Sequence, residues 1–226
     1  MTFQIPPFFP VTLGLVLGLA GFGTMRAEQT AVTLLTSPPY SGAGGQGVYG
    51  WQFKTTARLE VHTVGLYDWF ITPQGDGLFE SHPVGIWDVS KPSQLLMQSL
   101  IPAGNDATRD GIFLYVPTTP LALEADHQYV IGALYKSGDL FKLDYTLNAS
   151  NDPLLMEFGT GVEFEGYRYG EAGQLTFPSV FIAGERNGIG PNFKYSVVPE
   201  PSTVALLGFG VLGLLAWNLR DKTASR

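Results

Sequence analysis

The chain has no cysteine. That excludes disulfides, thiolate metal sites and cysteine nucleophiles together. Histidine is scarce: His62, His82 and His127 are the only three, and no two stand at a metal-ligand spacing. His62 sits inside an alternating run, His82 precedes a proline and His127 opens a strand, so each reads as a surface residue. Charged residues make up only 15% of the chain, and positive charge is the scarcer sign. Residues 28–198 carry eighteen acids against nine bases, a net charge of −9. A surface of that sign repels phosphate backbones, which argues against nucleic acid as a partner. No G-x-S-x-G, P-loop or dinucleotide fingerprint is present. The glycine-rich GAGGQG at 42–47 precedes a strand instead of opening a helix, so it lacks the context of a phosphate loop. No nucleophile has a base nearby in the pattern. The expectation is a protein that is not an enzyme.

What the chain has in quantity is turn-forming and strand-forming residues: 28 glycines, 16 prolines and 13% aromatics among 226 residues. About 170 residues between two apolar ends suffice for one core. Period-two runs begin with AVTLLT (31–36), VYGWQF (48–53) and RLEVHTVGLYDW (58–69). VGIWD (84–88), LLMQSLI (95–101), GIFLYV (111–116) and HQYVIGALY (127–135) follow. LFKLDY (140–145), LTF (175–177) and NFKYSV (192–197) complete the set. SPPYSGAGGQG, TPQGDG, SKPS, PAGNDATRDG and PTTP separate them as turns. The spacing predicts an all-β body, an antiparallel, jelly-roll-like β-sandwich over residues 28–197. Residues 146–174 are the least regular and read as a loop able to carry function.

VGLYD at 64–68 recurs as VGIWD at 84–88, with a cousin in VIGALY at 130–135. The echo reads as similar strands facing one core, or as a duplicated binding element. Were the first two to pair as a hairpin, Asp68 and Asp88 would lie more than ~10 Å apart along the sheet. That is too far for a glycosidase carboxylate pair. Asp68, Asp76 and Glu80 can instead converge at one edge, where hard oxygen ligands on a glycine-containing loop suit Ca²⁺. The alternative is a solvated acidic loop. Trp69, Tyr167 and Tyr169 are candidates for stacking on sugar rings, or else ordinary packing aromatics.

The two ends are apolar. Residues 11–23, VTLGLVLGLAGFG, have signal-peptide length, and Ala27 is the expected residue before the cut, so 1–27 reads as a signal peptide. No Lys or Arg precedes the run, and an uncleaved N-terminal anchor is the competing reading. Residues 203–219, TVALLGFGVLGLLAWNL, predict a transmembrane helix roughly 25 Å long against a ~30 Å hydrocarbon core. Trp217 stands where an interfacial aromatic would. Arg220, Lys222 and Arg226 then hold the tail cytoplasmic and the body outside.

Pro199-Glu200-Pro201, an apolar glycine-rich helix and a terminal basic cluster, in that order, resemble the PEP-CTERM sorting signal over residues 198–226. The resemblance implies processing by an exosortase, a membrane transpeptidase-like enzyme, in a Gram-negative bacterium that makes exopolysaccharide. The two prolines lack N–H donors and favour extended backbone, which suits a protease cleft. GWQF at 50–53, GLYD at 65–68, GDGLFESHPVGIWD at 75–88, IPAG at 101–104, YVIGALY at 129–135 and GPNFKY at 190–195 are similar to DUF4082, a β-sandwich found in PEP-CTERM proteins. That resemblance implies a fold and no mechanism. The combined expectation is an inner-membrane-anchored precursor whose mature, non-catalytic body reaches the cell surface or matrix. A Ca²⁺-dependent or metal-free exopolysaccharide-binding module is the alternative, with a glycan-active hydrolase less favoured.

Overall fold

The computed structural model describes residues 27–34, 46–68, 77–136, 156–171, 173–184 and 189–199. The predicted signal helix, LFKLDY, the 203–219 helix, Trp69 and Asp76 lie outside them, as do Glu200, Pro201, Trp217, Arg220, Lys222 and Arg226. All regular structure among the described residues is antiparallel β, and no helix there is long and apolar enough to cross a membrane.

Thirteen strands are described: β1 (Gln29–Thr30), β2 (Val32–Leu34), β3 (Gly47–Thr55), β4 (Leu59–Tyr67), β5 (His82–Asp88), β6 (Leu95–Ile101), β7 (Thr108–Asp110), β8 (Phe113–Leu123), β9 (Gln128–Tyr135), β10 (Met156–Phe158), β11 (Val162–Gly170), β12 (Val180–Ala183) and β13 (Pro191–Val197). One sheet has the order β1-β13-β4-β8-β7 and a second β12-β11-β3-β9-β5-β6, with β10 and β2 forming a small third pair.

Cross-strand partners share a face, so each row of partners shows what that face must bury. Met97, Ile86, Ile131, Trp51, Tyr167 and Ile182 form one row across all six strands of the larger sheet. Its Met97, Ile86, Ile131 and Trp51 join the core shared with the five-stranded sheet, while Ile182 is exposed. Trp51 stacks on Phe193 of β13 at 5.9 Å with the rings 12° from parallel, and Phe53 lies 5.1 Å from the same ring. The Trp51 indole N–H donates to the Pro191 carbonyl at 2.7 Å, so the buried ring keeps no orphan donor. Residues from both sheets form one continuous buried cluster.

The neighbouring row on the opposite face is Gln98, Gly85, Gly132, Gly50, Arg168 and Phe181. Three adjacent glycines leave a trough. Trp87 and the segment 175–178 fill it: a Cβ on Gly85 would lie 2.8 Å from the Trp87 ring, and one on Gly132 would lie 3.6 Å from Pro178. The glycines of the VGIWD and VIGALY echo therefore make room for an aromatic. Gly65 does the same for Tyr115 on the other sheet.

Several expectations are corrected. VGLYD and VGIWD do not pair: β4 lies between β13 and β8, whereas β5 lies between β9 and β6. The irregular stretch 146–174 contains a nine-residue strand, β11. A bulge between Phe164 and Gly166 shifts the alternation there, so that Phe164, Tyr167 and Tyr169 share one face three and two residues apart. LTF at 175–177 is not a strand but part of the strap over the glycine trough. His82 is fully buried, not a surface residue, with Nδ1 2.8 Å from the Leu134 carbonyl oxygen.

β1 pairs with β13 through Gln29–Tyr195 and Thr30–Lys194. Entry to the body and exit from it are thus side by side at one end.

Candidate functional site

The end of the body where β13 leaves is built from three turns. Val197 still pairs with Leu59, the Val198 N–H donates to the Arg58 carbonyl at 2.7 Å, and Pro199 is exposed. Around that exit, Arg58 faces Glu124 at 3.5 Å and Lys54 faces Asp126 at 3.3 Å. Asp126 holds a positive φ of 57° in the tight turn between β8 and β9, a conformation that Asp tolerates better than most residues. The Tyr195 hydroxyl ties β13 to the third turn by donating to the Thr160 carbonyl at 2.7 Å. Burial pushes the Tyr195 phenol up to about 12.

Beside this exit lies an open depression of about 390 Å³ lined by Lys54, Asp88, Ser90, Asp126, His127 and Gln128. Burial alone would raise the Asp88 carboxyl. Two hydrogen bonds from Ser90, at 2.7 Å each, together with His127 and Lys91 nearby, more than offset it and hold it below the usual carboxylate range. Asp88 is thus occupied as the acceptor of its own turn.

The predicted calcium residues have other neighbours. Asp68 is buried, its carboxylate accepting from the Arg109 guanidinium and from the Gly77 N–H at 3.3 Å, while Arg109 also donates to Asn105 at 2.6 Å. The positive charge beside Asp68 is this guanidinium. Glu80 accepts from the Lys136 N–H at 3.1 Å, and Asp76 lies outside the described residues. Among the described residues no group of three or more His, Asp or Glu is placed to hold a metal ion.

Of the predicted stacking aromatics, Tyr167 and Tyr169 do come together, with centroids 5.5 Å apart and planes 25° from parallel. Tyr167 is buried, in the row with Trp51. Tyr169 is exposed at 37%, beside Tyr49. Burial, and then Tyr169, raise the Tyr49 phenol above its ordinary value.

Arg168 has a role that its local sequence does not signal. It is buried between the rings of Phe177 and Phe181, 4.9 Å from each centroid. It donates to Gln52 Oε1 at 2.7 Å and to the Pro178 carbonyl at 3.2 Å. Burial lowers its pKa, with Glu165 opposing. An arginine flanked by tyrosines in an apparent loop gave no sign of this role.

No curated protein matches the chain. The family description of the PEP-CTERM protein-sorting motif matches residues 197–220, beginning at the last residue of β13. The chain therefore carries a PEP-CTERM sorting motif, the mark of an exported, exosortase-processed protein whose precursor is anchored at its C-terminus.

Proposed function

We propose that this chain is an exosortase-sorted surface protein whose body, a β-sandwich without catalytic machinery, functions by being displayed outside the cell. The sorting motif at 197–220 carries this reading. Two antiparallel sheets sharing one buried cluster support the sandwich. Asp68, Asp88 and Glu80, the acids nearest to a site, already accept protein hydrogen bonds. The apolar run at 203–219 is the anchor in this reading, and Arg220, Lys222 and Arg226 hold its cytoplasmic side. The anchored precursor is cut near Pro199-Glu200-Pro201, and the body passes to the surface or matrix.

The test is mass spectrometry of the mature C-terminus in cells that possess the sorting enzyme. Replacing Pro199, Glu200 and Pro201 by alanine should leave membrane insertion intact and block cleavage. A surface-fraction protein that still ends at Arg226 in the wild type rejects the processing.

Exopolysaccharide binding is the second reading, favoured by one observation: the exposed edge of the Tyr167–Tyr169 stack. Tyr169 and Tyr49 would supply the stacking surface. A pull-down with purified exopolysaccharide should weaken on Tyr169→Ala, and equal recovery of wild type and variant removes this reading.

A further inference from the structure

We propose that the folded body itself meets the processing enzyme, and that the β13–β4 ladder fixes how far upstream the enzyme can read. The inference rests on the processing proposed above and adds a contact surface and a limit to it. Its basis is the absence of any spacer. Among the described residues the last ladder pair is Val197–Leu59 and the last backbone hydrogen bond is Val198 to Arg58, and the next residue is the first proline of the motif.

An extended chain covers at most ~3.6 Å per residue, so the Pro199–Glu200 bond lies within about 7 Å of Val198. An enzyme that cuts there touches the turns surrounding the exit. Those turns present Arg58 with Glu124, Lys54 with Asp126, and Thr160. This mixed-charge rim around the exit of β13 is the proposed contact.

The ladder also closes the upstream side. A peptidase groove that took Tyr195 to Val198 as an extended segment would have to strip them from β4. Tyr195 is fully buried and bonded to the Thr160 carbonyl, and Ser196 is buried beside His62, with its Oγ 3.0 Å from the imidazole Nε2. Peeling them would open the core. Recognition is therefore confined to Pro199 and beyond, and the distance of the motif from the body sets how freely the enzyme can reach it.

The test uses the full chain in a host with the sorting system, following cleavage by pulse-chase and the mature C-terminus by mass spectrometry. Deleting Val197 and Val198 draws the motif about 7 Å into the rim, and should slow cleavage at least about tenfold. The double substitution Val197→Thr with Val198→Ser keeps the spacing and should cleave within about twofold of wild type. Protease resistance of the exported body confirms that each variant is folded. A four-residue Gly-Ser insertion after Val198, which leaves β13 untouched, should cleave at least as fast as wild type and yield a product longer by those four residues. Wild-type cleavage of the deletion overturns the proposal. So does a substitution as damaging as the deletion, or a mature end upstream of Val198 on a folded body. A wild-type chain that stays uncut at Arg226 removes the processing reading and this inference with it.

Discussion

Single side chains at the margins of the sheets decide how this body closes. Asn192 is fully buried and ties β13 to the backbone of β2. Its amide accepts from the Val32 N–H at 3.1 Å, and donates to the Val32 carbonyl at 2.9 Å and the Tyr115 hydroxyl at 3.0 Å. Asn192→Ala leaves these groups without partners and should cost about 2 kcal/mol by urea denaturation. Asp68→Ala strands the Arg109 guanidinium and should cost about 3 kcal/mol, with or without added calcium. A loss that appears only in calcium would instead place a metal at Asp68. The tyrosines set an alkaline limit. Burial raises Tyr195 to about 12 and Tyr115 higher still, so the folded state favours the protonated phenols. Their contribution is complete below the ordinary tyrosine value of about 10 and is lost as the pH climbs towards 12. The urea midpoint should fall across that interval, and Tyr195→Phe should flatten part of the slope.

At the level of elements, β3, β4, β5, β6, β9, β13 and the first half of β8 were legible from residue types alone, each falling on a period-two run despite bulges in the ladders of β4, β5 and β13. The turn expected at PTTP (117–120) is instead the middle of β8, which runs on to Leu123. β11 was not legible. The bulge at Glu165 puts Phe164 and Tyr167 on one face at a spacing of three. A central glycine and three charges further lower the apparent strand character of VEFEGYRYG. The pairing of strands was hidden for a different reason: β4 and β5 carry nearly the same pentapeptide, and nothing local says which sheet each joins. The sorting motif was legible in full because it is read as sequence. The environments of Asp68 and Arg168 depend on partners 41 and about ten residues away and could not be read from their neighbours. Three element-scale predictions concern the glycines and the strap. Gly50→Ala drives a methyl into the Ile131 carbonyl and should cost about 3 kcal/mol or more. Gly111→Ala meets nothing within 4 Å and bears only its positive φ of 59°, so about 1 kcal/mol is expected. Arg168→Ala should free the 173–179 strap, giving limited-proteolysis cuts there while the rest of the body resists.

For the molecule as a whole, the two sheets and their shared cluster predict that residues 28–198, expressed alone, fold with a β-dominated far-UV circular dichroism spectrum. A helix-dominated spectrum would contradict the architecture. The pairing of β1 with β13 has a consequence for attachment. Because Gln29 and Tyr195 are partners, Ala27 and Val198 leave the body as neighbours, giving it a single pole of attachment. Neighbouring ends permit circular permutation. A short Gly-Ser bridge from Val198 to Ala27, with the chain reopened at the exposed turn around Gly111, should preserve both sheets and move the free ends to the far pole, where Phe113 pairs with Tyr67. A sorting motif grafted onto that new C-terminus would turn the body over, presenting to the outside the rim that now lies nearest the membrane.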